Sequence, residues 1–250
     1  MNSDFRNHYL IKCAYDGSDF YGWAIQNDKR TVQGEFKKAL DSIFGEYEWS
    51  VAGRTDRGVH AKGQAVALSI GYPFAADKVK EMVTRRLPPS ILVGTVRKRS
   101  RKLDARREAA SRTYKYFMKD ISMFSPFERN YCVFEDLSSV NWETVKHGMS
   151  LFIGEHDFRN FCKEDDSIRS YVRIVLSFDL KLRDRAAVFT IEANAFLYNM
   201  VRKIIGALLL AGRGAIELDT LKTMLDSSEN KRYLIKKAPP NGLYLWKVTF

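Results

Sequence analysis

The sequence predicts an α+β protein built of two α/β subdomains, each a mostly antiparallel or mixed sheet with helices packed on one face. Three observations lead there. Segments of alternating polarity recur between segments of helical periodicity, as layered strands and helices require. Two alternating segments, 171–179 and 186–194, flank the turn-forming Arg183-Asp184-Arg185 and read as a hairpin. A strongly basic stretch from Arg97 to Lys119 connects a first strand–helix set to a second. The expected boundary gives subdomains 1–105 and 106–250.

The first set opens with a strand at 9–15, ended by Asp16-Gly17, and an aromatic-rich loop at 19–23. Thr31 caps a helix reaching Gly45, with Val32, Phe36, Ala39, Leu40 and Ile43 on one face. Two apolar runs, one at Trp49, Val51 and Ala52 and one at 64–70, bracket a loop. A helix at 77–87 carries Val79, Met82 and Val83 and stops at Pro88-Pro89, before a strand at 91–96. The second set opens with a strand at 111–117. Asn141 caps a helix bearing Trp142, Val145, Met149 and Phe152, and 154–161 reads as a loop. After the hairpin, a helix at 196–210 turns Leu197, Val201, Ile204, Ile205 and Leu208 inward and is closed by Gly212. A helix at 219–225 and a last strand at 243–250 follow.

Composition bounds the function. In 250 residues, 45% hydrophobic and 13% aromatic, there is enough apolar material for a sizeable core. The net charge of +11 points to a polyanionic partner. Between Arg97 and Lys119 ten Lys/Arg face only Asp104 and Glu108, so +8 of that charge is local. A solvated face is the ordinary reading of a charge run; beside Tyr114, Tyr116 and Phe117, nucleic acid is the better one. Cys13, Cys132 and Cys162 are odd in number and far apart, and the four histidines lack paired metal spacing. Free thiols, a reducing compartment and no metal are expected. No apolar N-terminal signal is present, and the longest apolar run, 196–211, is broken by Arg202 and Lys203. A soluble, cytoplasmic protein with no membrane partner is expected.

The chemistry concentrates in Val51-Ala52-Gly53-Arg54-Thr55-Asp56-Arg57-Gly58-Val59-His60-Ala61. Two glycines allow a sharp bend around a carboxylate flanked by arginines. Nearby arginine charge favours an ionised carboxylate, which can act as nucleophile or base toward a phosphate-bearing substrate. A surface Asp–Arg pair on a hairpin loop is the plainer alternative. The segment resembles the catalytic motif of the TruA-type tRNA pseudouridine synthases, Gly/Ser-Arg-Thr-Asp-x-Gly-Val-His-Ala. Tyr15 to Trp23 resembles a second block of that family, although Ala24-Ile25 intervene before Gln26 where the family has Gln directly after the Trp. Further matches are Arg112-x-Tyr114, the stretch 196–206, His156-Asp157-Phe158 with Asn160 and Phe161, and Leu243-Tyr244-Leu245. The Phe158 to Lys163 variant looks more like archaeal and eukaryotic relatives than bacterial ones.

The resemblance implies roles. Asp56 is the catalytic group and Arg202 its partner; Tyr114 stacks on the target base; Arg54 helps extrude that base and fills its place. The residues leave alternatives. Arg202 falls about 140° from Leu197 on a helical wheel, at the border of the apolar stripe, where it either snorkels or pairs with a buried carboxylate. Tyr114 and Tyr116 alternate along a strand, so one of them is expected in the core. His60 reads as a histidine satisfying loop backbone, not as a catalytic base. The reaction implied is a cofactor-free isomerisation of uridine to pseudouridine at positions 38–40 of the tRNA anticodon arm, by a homodimer, with the active-site cleft between the subdomains. Asp56 attacks the sugar or the base, or takes a proton from C2′. A non-catalytic RNA-binding or chaperone protein on the same scaffold is the alternative. A glycosidic hydrolase fits less well, since no second acid accompanies Asp56.

Overall fold

Alternation with a period of two makes Asn7–Tyr15 the first strand, β1, whose Tyr9, Ile11, Cys13 and Tyr15 are buried on one face. The computed structural model describes residues 5–164, 168–226 and 235–250. After β1 come α1 (Val32–Phe44), β2 (Tyr47–Val51), β3 (His60–Ile70), α2 (Ala76–Thr84) and β4 (Ile91–Arg99). Then follow β5 (Ser111–Asp120), β6 (Val133–Glu135), α3 (Trp142–Ser150), β7 (Gly154–Asp157), β8 (Val172–Arg183), β9 (Ala186–Ala193), α4 (Met200–Gly212), α5 (Leu218–Asp226) and β10 (Leu243–Thr249). The fold is α+β with mixed sheets. The chain divides into two units, Met1–Ala110 with Tyr244–Phe250, and Ser111–Leu243. The last strand, which the sequence leaves with 106–250, thus groups with the first unit.

In the first unit β1 runs antiparallel to both β4 and β3. The second edge of β3 is shared: β2 pairs antiparallel with its far end, from Val66 to Ile70, and β10 pairs parallel with it at His60 and Ala61. Helix α1 packs through Phe36 on Trp49 of β2, 6.3 Å between ring centroids. Thr31 caps it, accepting the Gly34 N–H at 3.2 Å. The buried Trp23 ring lies 5.8 Å from Phe36 of α1, 6.0 Å from Tyr15 and 6.4 Å from Trp49, joining helix, strands and loop in one aromatic cluster.

In the second unit β9 lies between β5 and β8, antiparallel to both; β7 extends the sheet from β8, and β6 pairs parallel with β5. Ala187, Phe189, Ile191 and Ala193 form the buried face of β9. Trp142 of α3 reaches Phe189 at 6.4 Å, and Asn141 caps that helix by accepting the Thr144 N–H. The β8–β9 hairpin is present, with Asp184 at φ 47° in its turn.

Several boundaries differ from the expectation. Helix α4 starts at Met200 rather than 196, because Asn199 adopts φ 64°, a left-handed conformation that cannot continue a helix backward. Residues 154–161, expected as a loop, form β7 and a 3-10 turn over Arg159–Phe161, since pairing with β8 decides the conformation of so short a segment. Strand β3 begins at His60, four residues early, where β10 supplies partners. Strand β4 runs on through Arg97, Lys98 and Arg99, charges that a sheet-edge strand tolerates. Among the described residues no helix is long and apolar enough to cross a membrane.

Candidate active site

The loop joining β2 to β3 carries Asp56. It turns at Arg57-Gly58, where the Val59 N–H bonds the Asp56 carbonyl at 3.1 Å and Gly58 takes φ 76°, as the third position of a type II turn requires. Side chains and backbone from β1 and the 19–23 loop pin this segment. The Tyr15 hydroxyl meets Thr55 Oγ1 at 2.8 Å, and the Trp23 N–H donates to the Thr55 carbonyl at 3.0 Å. Gln64 Nε2 donates to the Gly53 carbonyl at 2.7 Å. Gly22, at φ 93°, comes so close that an added Cβ would stand 2.7 Å from the Thr55 oxygen, so no larger residue fits. Thr55 and Val59 are therefore buried while Asp56 is half-buried. Arg54 and Arg57 are exposed, and neither makes an ion pair among the described residues.

His60 is a support beneath this loop. It is 2% exposed, its ring stacks on Tyr244 at 4.6 Å and 19°, and its Nδ1 accepts the Gly17 N–H at 3.0 Å. An Asp16 oxygen lies 3.3 Å from the same nitrogen. Its role as a backbone-satisfying histidine agrees with the sequence reading. Tyr15, Thr55, Trp23 and Gln64 were not singled out as supports; their partners are remote in sequence and carry no local signal.

The second unit holds Tyr114 and Arg202. Tyr114 and Tyr116 are both buried, at 7% and 1% exposure, which corrects the expectation of one core tyrosine: residues two apart on a strand share a face. Tyr114 meets Phe196 edge-to-face at 5.0 Å. Arg112 Nη1 donates to the Asn194 carbonyl at 2.7 Å. Arg202 is 8% exposed, so it does not snorkel. Its Nε donates to the Ala238 carbonyl at 2.7 Å, its own carbonyl accepts the Ala238 N–H, and Nη1 lies 3.4 Å from Asn199 Oδ1. The Tyr116 hydroxyl donates to the next carbonyl, Pro239, so residues 238–239 fix both side chains.

The block at 158–163 packs inside the second unit. Phe158 and Phe161 cluster with Phe152, and the Lys163 N–H and Lys203 Nζ tie the block to α4 through the Tyr198 and Cys162 carbonyls. Burial pulls the Lys203 ammonium below its ordinary pKa. Gln26, two residues beyond the family position, donates to the Tyr21 carbonyl at 2.7 Å.

A family model described as tRNA pseudouridine synthase matches residues 149–250. Curated relatives extend the likeness to the whole chain. A Geobacillus protein named tRNA pseudouridine synthase A is 34% identical over 244 residues, covering 96% of this chain and 98% of its own. A Listeria welshimeri protein of that name is 36% identical over 245 residues, covering 97% and 98%. A Bacillus cereus protein named tRNA pseudouridine synthase A 1 is 34% identical over 244 residues, covering 96% and 98%. These relatives are bacterial, whatever the likeness of the 158–163 block. The chain belongs to the TruA-type tRNA pseudouridine synthase family. Among solved structures, a chain of the archaeal box H/ACA sRNP Nop10–Cbf5 complex aligns with 80% of this chain and 42% of its own, at 13% identity and a TM-score of 0.34.

Proposed function

We propose that this family member isomerises uridine to pseudouridine in tRNA, at positions 38–40 of the anticodon arm, with Asp56 as the reacting group. The C1′–N1 bond breaks, the base turns within the site, and C1′ bonds to C5. The proton lost from C5 balances the one gained at N1. Substrate and product are isomers, so the chemistry consumes no water and no redox equivalent. Asp56 serves by attack on the sugar or the base, or by removing the C2′ proton. Arg202 pairs with its carboxylate, Tyr114 stacks on the base, and Arg54 takes the place of the extruded base. The protein works in the cytoplasm as a homodimer.

The observation that carries this reading is the Asp56 loop. Its backbone is pinned by Tyr15, Trp23 and Gln64, while the carboxylate-bearing side chain stays half-exposed. A surface ion pair needs no such scaffold; a group that must meet its substrate in one geometry does. The test is pseudouridine formation on an unmodified tRNA transcript, mapped by position, with wild type beside Asp56→Ala. Conversion by wild type and binding without conversion by the variant are expected. Equal binding with conversion by neither reduces the protein to an RNA-binding scaffold, and light scattering showing a monomer removes the dimer.

A further inference from the structure

We propose that Arg57, held over the Tyr21 ring, binds a backbone phosphate of the RNA flanking the nucleotide on which Asp56 acts. The inference rests on the isomerase reading above and adds a positioning residue to it. The Arg57 guanidinium carbon lies 4.3 Å from the centroid of Tyr21, and Lys29 Nζ lies 4.9 Å from the same centroid. One aromatic ring thus carries two cations. Neither has an acidic partner among the described residues, which leaves both to meet an anion from outside the protein. Arg57 is exposed and follows Asp56 directly, so their Cα atoms are about 3.8 Å apart. A planar guanidinium fork matches a phosphate.

The platform is itself fixed. The Tyr21 N–H donates to the Arg30 carbonyl at 2.9 Å, its carbonyl accepts from Gln26, and the adjoining Gly22 is wedged against Thr55. Gln26, displaced from the family position, acquires a use here: it anchors the residue that aims Arg57. These contacts tie the ring's backbone to the Asp56 loop, so a phosphate held by Arg57 would lie beside the Asp56 carboxylate.

The experiment measures pseudouridylation kinetics and tRNA binding across a salt series for wild type, Arg57→Ala, Arg57→Lys and Tyr21→Leu, with thermal melts as a folding check. Arg57→Ala is expected to raise KM and Kd about tenfold with the loss confined to those constants, and to lower the slope of log Kd against log salt by about one. Arg57→Lys restores the slope and part of the KM. Tyr21→Leu keeps the slope and raises KM about threefold, since the charge remains and only its aim is lost. Wild-type KM and slope in Arg57→Ala, or a fall in kcat at unchanged KM, overturn the proposal. If wild type binds tRNA and forms no pseudouridine, the isomerase reading falls, and the binding slopes alone then decide for or against the phosphate contact.

Discussion

The Asp56 loop and the Tyr114–Arg202 pair are held in opposite ways. Asp56 and its arginine neighbours keep exposed or half-exposed side chains on a backbone fixed from below by Tyr15, Trp23, Gln64 and His60. Tyr114 and Arg202 belong to a strand and a helix, and their own side chains are buried and bonded. In the first unit the proposed reacting group and the residues that hold its loop are different; in the second the proposed site residues are themselves part of the packed interior. Substitutions should therefore separate activity from stability in one unit and not in the other.

The largest expected effect tests that separation directly. Asp56→Asn should lower conversion by about a thousandfold or more, the scale of losing a reacting group, with a melting temperature within about 2 °C of wild type. Arg202→Ala should lower both, since it strips a partner from the Ala238 carbonyl inside the fold at a cost of about 1–3 kcal/mol. Equal destabilisation by the two would erase the contrast. Next in size, Tyr114→Leu should reduce kcat/KM by a factor corresponding to about 1–3 kcal/mol of base stacking, whereas Tyr114→Phe keeps the ring and most activity. An inert Tyr114→Leu would return this tyrosine to the core alone.

A smaller effect sharpens the first-unit side. Tyr15→Phe removes the hydroxyl that meets Thr55, and about 1 kcal/mol of stability should go with it. Conversion should fall more than the stability loss explains, because the loop under Asp56 loosens; a variant with a lowered melting point and full kcat would count against loop pinning. Smallest is the response of the thiols. Burial raises Cys13 from 9.0 to about 12 and Cys162 from 9.0 to about 11. The native thiols are then protonated where unfolded ones ionise, so their stabilising contribution is complete below about pH 9 and is lost as pH rises toward 11 and 12. Cys13→Ala should flatten the alkaline fall in melting temperature, and native Cys13 should resist thiol reagents at pH 8; rapid labelling there would show that it is open to solvent.

Much of this was readable in residues 51–61, where glycine spacing and flanking charge set the loop apart, and in the capping residues Thr31 and Asn141, whose side chains make the bonds their position implies. What was not readable is non-local. Tyr15 finds Thr55 forty positions further along the chain, a separation with no sequence signature. The four residues of β7 become a strand only because β8 lies beside them. The helical pattern at 196–199 is overruled by one left-handed asparagine. The burial of Arg202 follows from residues 238–239 folding back over α4, and a helical wheel contains no such partner.

The return of β10 to β3 links the Asp56 loop to the last strand of the chain. Tyr244 pairs with His60 and stacks on its ring, and Leu245 pairs with Ala61, at the end of β3 where the Asp56 loop begins. Without β10, that edge of β3 would lack its parallel partner at His60 and Ala61, and His60 would lack the Tyr244 ring. The Asp56 loop is thus held from two distant parts of the chain, by Tyr15, Trp23 and Gln64 near it in sequence and by β10 at the strand into which it runs. A substitution in β10, far from Asp56 in sequence, would therefore reach the base of that loop through His60 and Ala61.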